Sequence, residues 1–172
     1  MTSSSRTIHV FAYGSNMHLK RMRARVASAE PIATGYVSSR RLAFHKRSVD
    51  GSGKADAAVS NNPSDRVWGV VYSLTEDEKR ILDGYEFVGV GYDCESVTVH
   101  TSQESIQASI YTARSEAIQA DLNPYTWYLQ FVVLGAIANR LPADYVQSLR
   151  QIISDIDQDH ERHLQNMRLT EA

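Results

Sequence analysis

The sequence predicts a single α+β domain built on one mixed, partly closed sheet. Three observations lead there. Apolar or alternating segments rich in β-favouring residues outnumber the helical ones. Most of these strands follow one another through short loops, which favours a mixed sheet over a layered parallel one. A length of 172 residues, with no internal repeat and no long linker, suits one domain of ordinary size with a real core.

Taken in order, residues 8–13 read as a buried strand and residues 17–27 as the first helix. Residues 32–37 and 41–45 look like a pair of strands. Residues 49–55, which hold Asp50-Gly51-Ser52-Gly53-Lys54, have the composition of a flexible loop. Residues 57–59 make a short strand before the turn signal Asn61-Asn62-Pro63. Residues 67–74 form the central strand, and Thr75-Glu76-Asp77-Glu78 is an acidic helix start. Residues 96–100 and 106–112 alternate apolar and polar side chains, as a hairpin with one wet face does. Residues 125–139 are the most apolar helix, and 143–156 are amphipathic. The expected division is a flexible tail at 1–7, one domain at 8–157 and a polar C-terminal extension at 158–172.

Composition narrows the function. A formal net charge of −2 lacks the basic excess of a nucleic-acid binder. No apolar run approaches the roughly 18 residues that a membrane crossing needs. The polar start, Met1-Thr2-Ser3-Ser4-Ser5-Arg6, lacks the apolar core of a secretory signal. Cys94 is the only cysteine, which suits a reducing cytoplasm. The expectation is a cytoplasmic enzyme, monomer or homodimer, with a small-molecule substrate and neither nucleic acid nor membrane as partner.

Chemistry concentrates first at Phe11-Ala12-Tyr13-Gly14-Ser15-Asn16-Met17. A strand that breaks at a glycine and opens a helix presents backbone N–H groups with no partner of their own. Such a turn holds a carboxylate or phosphate, with Ser15 or Asn16 as N-cap and the Tyr13 and Ser15 hydroxyls adding directional bonds. These residues alone suit an ordinary capped turn equally well.

The segments Val67-Trp68-Gly69-Val70-Val71-Tyr72 and Leu82-Asp83-Gly84-Tyr85-Glu86, in that order after Tyr13-Gly14-Ser15-Asn16, decide between the two. With Gly91-Tyr92, Pro124, Tyr128 and the stretch from Leu134 to Pro142, the pattern resembles the γ-glutamylcyclotransferase family (the AIG2-like or butirosin-cyclotransferase-like superfamily). It spans roughly residues 8 to 150. The resemblance implies a small barrel with flanking helices, and it places Glu86 on the family's catalytic glutamate. It also implies that Tyr128 lines the pocket, where a core aromatic on an apolar helix is the plainer alternative. The family's pocket tyrosine follows Gly-x, whereas Tyr92 follows Gly91 directly and Asp93 takes the next place. Either a local strand adjustment restores the contact or the specificity differs.

The implied reaction explains the glutamate. A γ-glutamyl compound carries both partners of a cyclisation, its α-amine and its δ-carbonyl. Closing the ring gives 5-oxoproline and frees the acylated amine, so no enzyme nucleophile or cofactor is required. Holding the chain folded lowers the barrier, and one carboxylate moves the protons. Flanked by Tyr85 and Phe87, Glu86 is expected to be partly desolvated, with a raised pKa. The turn Tyr13-Gly14-Ser15-Asn16 then holds the α-carboxylate.

Other constellations carry less. His160 and His163 stand three apart on a polar stretch with no third ligand at obvious spacing, so no metal is expected. Lys20, Arg21, Arg23 and Arg25 read as a solvated helix face that also steers anions. Ser15 lacks the context of a nucleophilic serine, and Trp68 and Trp127 read as core. Three functions fit: a cyclotransferase acting on a γ-glutamyl amino acid, amine or peptide; a non-catalytic binder of γ-glutamyl groups or small anions; and a pathway-specific enzyme that removes a γ-glutamyl group.

Overall fold

The computed structural model describes residues 7–171; residues 1–6 of the expected tail and Ala172 lie outside it. Among the described residues are seven strands, β1 (Thr7–Ala12), β2 (Glu30–Ser38), β3 (Arg40–Arg47), β4 (Gly53–Val59), β5 (Arg66–Thr75), β6 (Tyr92–Thr101) and β7 (Ser105–Ala113). The helices are α1 (Leu19–Arg25), α2 (Glu76–Tyr85), α3 (Thr126–Ala138), α4 (Ala143–Arg150) and α5 (His160–Glu171). None of them is long and apolar enough to cross a membrane.

Five strands form a closed barrel in the order β1-β5-β2-β6-β7. The central strand β5 pairs antiparallel with both β1 and β2, and the parallel pairing of Val10 with Ser109 closes the ring. Phe11, Val70, Tyr72, Val99 and Ile110 are fully buried in it. β6 and β7 form the expected hairpin, paired from Tyr92–Ala113 to His100–Ser105.

Several expectations change. β2 and β3 are both strands but do not pair: the chain turns at Ser39, in the left-handed region at φ 57°, and leaves the barrel. β3 instead pairs with β4 as a two-stranded ribbon. β4 takes in Gly53, Lys54 and Ala55 from the expected loop, because Asp50 accepts from the Ser52 backbone N–H (3.0 Å) and hydroxyl (2.8 Å) and from Lys54 (2.7 Å). The ribbon reaches the barrel through the Ala113 N–H, which donates to Asp56 at 2.8 Å. The first helix begins only at Leu19, after a single 3-10 turn at Ser15–Met17, and neither Ser15 nor Asn16 caps it. Their side chains are engaged elsewhere, with Arg21 and Glu86. The amphipathic stretch 143–156 is helical only to Arg150, since Asp155 pairs its backbone with Pro124 and Thr126 instead.

Candidate active site

The end of β1 delivers Tyr13 and Gly14 to the mouth of the barrel, and the 3-10 turn that follows carries Ser15 and Asn16. α3 lies against this turn, its Gly135 leaving no room for a side chain: a Cβ there would sit 2.7 Å from the His18 backbone nitrogen. The opening N–H groups of such a turn have no intrahelical acceptor, so those of Ser15 and Asn16 are left for another partner. The turn walls a cavity of about 240 Å³.

Glu86 reaches the same cavity from α2. Thr75 and Glu78 form a reciprocal capping box at the start of that helix, and Glu86 is its C-cap. The carboxylate is mostly buried, 14% exposed. Its Oε1 accepts from Asn16 Nδ2 at 2.8 Å and from Arg25 Nη1 at 2.7 Å. Tyr85 and Phe87 line the same cavity beside it. Both rings are half exposed, and the direct polar neighbours of the carboxylate are a guanidinium and an amide.

All seven expected site residues, Tyr13, Gly14, Ser15, Asn16, Glu86, Tyr92 and Tyr128, line the one cavity. Tyr92 donates to the Ala55 carbonyl at 2.8 Å, and Tyr128 accepts from the Ala55 N–H at 3.2 Å. The direct Gly91–Tyr92 step thus still points the ring inward. Burial pushes the Tyr13, Tyr92 and Tyr128 phenols up, so they remain protonated donors. Gly14 lies against the ribbon: a Cβ there would meet Ala55 Cβ at 3.0 Å and the Tyr128 hydroxyl at 3.2 Å.

The cavity also holds residues that sequence reasoning placed elsewhere. Arg21, Arg25, Lys46 and Lys54 line it against the carboxylates of Glu86 and Asp50, so its balance is positive. Arg21 donates from Nε to Ser15 Oγ at 2.9 Å and lies over Phe131 and Trp127. Burial, with Arg25 adding repulsion, lowers its pKa to about 10. The spacing of Arg21 and Arg25, four apart on one helix face, was the available signal. Lys46 and Lys54 come from the ribbon, where no local pattern marked them. Trp127 is core and pocket wall at once. The His160–His163 segment is α5, outside this cavity.

Known proteins share this sequence pattern and this fold. Residues 66–149 match the AIG2-like family. Two proteins named γ-glutamylcyclotransferase are similar in sequence. The one from Bos taurus is 30% identical over 83% of this chain and 77% of its own, and the one from Homo sapiens is 27% identical over the same shares. A solved structure named γ-glutamyl cyclotransferase superposes with a TM-score of 0.84 at 24% identity, covering 96% of this chain and 99% of that one. A barrel mouth that sets a glycine turn opposite a buried glutamate, with relatives this close over most of both chains, leads to one conclusion: the protein belongs to the γ-glutamylcyclotransferase family.

Proposed function

We propose that this enzyme cyclises a γ-glutamyl amino acid, amine or peptide to 5-oxoproline and releases the free amine, with Glu86 as the proton carrier. The carrying observation is the 2.8 Å bond between Glu86 and Asn16, which sets a base beside an anion-holding turn in one cavity. In this reading the N–H groups of the turn hold the substrate's α-carboxylate, with Arg21 close behind Ser15. That fixes the α-amine near Glu86. Arg25 and Asn16 occupy Oε1, which leaves Oε2 to take a proton from the α-ammonium. The freed amine attacks the δ-carbon, a C–N bond forms, and the old amide C–N bond breaks. Glu86 returns its proton to the leaving nitrogen, and the surplus proton of the new ring nitrogen follows by the same carboxylate to the released amine, which departs as an ammonium while the carboxylate ends as it began. Tyr92 and Tyr128, as protonated phenols, close the walls around the glutamyl chain. The single cysteine, Cys94, fits a reducing compartment such as the cytoplasm.

The test is Glu86→Gln, which keeps shape and most hydrogen bonding but removes the titrating proton. Release of 5-oxoproline should fall by about two orders of magnitude or more, the scale of general acid–base catalysis. Ligand affinity should change far less. Gly14→Val should instead abolish binding, since its side chain enters the contact with Ala55 and Tyr128. Undiminished turnover in the Gln variant would remove Glu86 from the mechanism. If the wild type releases no 5-oxoproline from any γ-glutamyl donor, the protein is a binder.

A further inference from the structure

A second hollow of about 280 Å³ adjoins the first and shares Lys46, Ser48 and Phe87 with it. Its walls are unusual for solvent-facing chain. Val49 is 99% exposed, Val90 74% and Phe87 57%, so large apolar side chains stand open around its rim. Phe87 is also in the left-handed region, at φ 51°, a costly backbone for a bulky residue. That conformation follows the Glu86 C-cap directly, and it sets the ring where the two hollows meet.

Lys46 lies at the same junction. It is only 9% exposed, yet among the described residues no carboxylate comes within ion-pair distance of its ammonium. Its Nζ sits over the Tyr92 ring at 4.9 Å and passes Gly91, where a Cβ would meet it at 3.0 Å. A buried, unpaired cation is expensive and calls for an anion. The remaining charges at the second hollow are Arg47 and Glu116, and Glu116 lies near Arg114.

We propose that Lys46 and the Val49–Phe87–Val90 rim form the subsite for the leaving amine, selecting an α-amino acid with a bulky apolar side chain. This rests on the cyclotransferase reading above. The acceptor's carboxylate pairs with Lys46 while its side chain lies on the apolar rim, both beside the scissile amide. A γ-glutamyl amine without a carboxylate loses the first contact, and γ-glutamylglycine loses the second.

Three donors separate these contacts: γ-glutamyl-leucine, γ-glutamyl-isoamylamine (the same side chain without the carboxylate) and γ-glutamylglycine. In wild type, kcat/KM for the leucine donor should exceed each of the others by about tenfold or more, the scale of a charged hydrogen bond or of apolar side-chain recognition. Lys46→Met should bring the leucine-to-isoamylamine ratio close to one. Val90→Asp, at an exposed position that the fold tolerates, should bring down the leucine-to-glycine ratio. Equal use of all three donors by wild type, or ratios unmoved by these variants, overturns the subsite while cyclotransferase activity stands. No 5-oxoproline from any donor overturns both.

Discussion

Lys54 carries a charge that its surroundings make costly. Its ammonium donates to Asp50 at 2.7 Å and Ser52 at 2.8 Å, and lies over the rings of Trp127 and Tyr128 at 4.6 Å from each. Burial is the larger influence, opposed by Asp50 and reinforced by repulsion from Arg21 and Lys46, and it lowers the pKa from 10.5 to about 8. The folded chain therefore binds fewer protons than the unfolded chain between these values, and stability rises with pH across that window. Lys54→Met should flatten this rise, whatever its constant offset. Urea midpoints measured from pH 7.5 to 10.5 on both proteins would show it, and parallel slopes would deny Lys54 the role. Such a residue was not legible in the sequence. Asp, Gly, Ser and Lys in a short run read as a loop by composition, and only tertiary contact with α3 makes that lysine part of a pocket. Glu86 was legible because an ordered family pattern singles it out. Its ion pair with Arg25 was not, since the two are far apart in the chain.

At the scale of elements, two glycines in helices have opposite meanings. Gly135 in α3 lets the helix rest on the 3-10 turn, where an added Cβ would lie 2.7 Å from the backbone of both Met17 and His18. Gly135→Ala should cost about 1–3 kcal/mol through overpacking. It should also raise KM, because the displaced turn carries Ser15 and Asn16. Gly84 in α2 has open space around it. Gly84→Ala should stabilise by about 0.5–1 kcal/mol through helix propensity alone. Equilibrium urea unfolding of both variants tests the contrast, and a shift of the same sign in both would refute it. The same tertiary logic separates the readable elements from the rest. The cap of α2 was readable because Thr75 and Glu78 meet each other locally. The start of α1 was misplaced because Ser15 and Asn16, good capping residues by type, give their side chains to Arg21 and Glu86. The strands of the ribbon were found, but their partners depend on how the chain turns at Ser39.

The whole molecule is a barrel whose functional end is braced by a helix remote from it in sequence. α5 packs on α3, and the joint between them is Asp157, fully buried. Asp157 accepts from Trp127 Nε1 at 2.9 Å and from two nitrogens of Arg162 at 2.6 Å each. Trp127 in turn walls the candidate cavity, so the C-terminal helix helps to hold that cavity in shape. Arg162 is the main influence on the Asp157 carboxyl, holding it at about 2 against an ordinary 3.8. A depressed carboxylate pKa contributes stability that is fully present above the unfolded value and is lost as pH falls through the folded one. Arg162→Met should therefore lower the midpoint of unfolding near neutrality, and the gap to wild type should narrow as pH falls from about 4 toward 2. Urea midpoints from pH 6 down to pH 2 measure this. A gap that stays constant would assign the joint to side-chain packing instead of charge. A rise in KM near neutrality, with kcat kept, would show that the brace acts on binding through Trp127 and leaves the proton transfer proposed for Glu86 untouched.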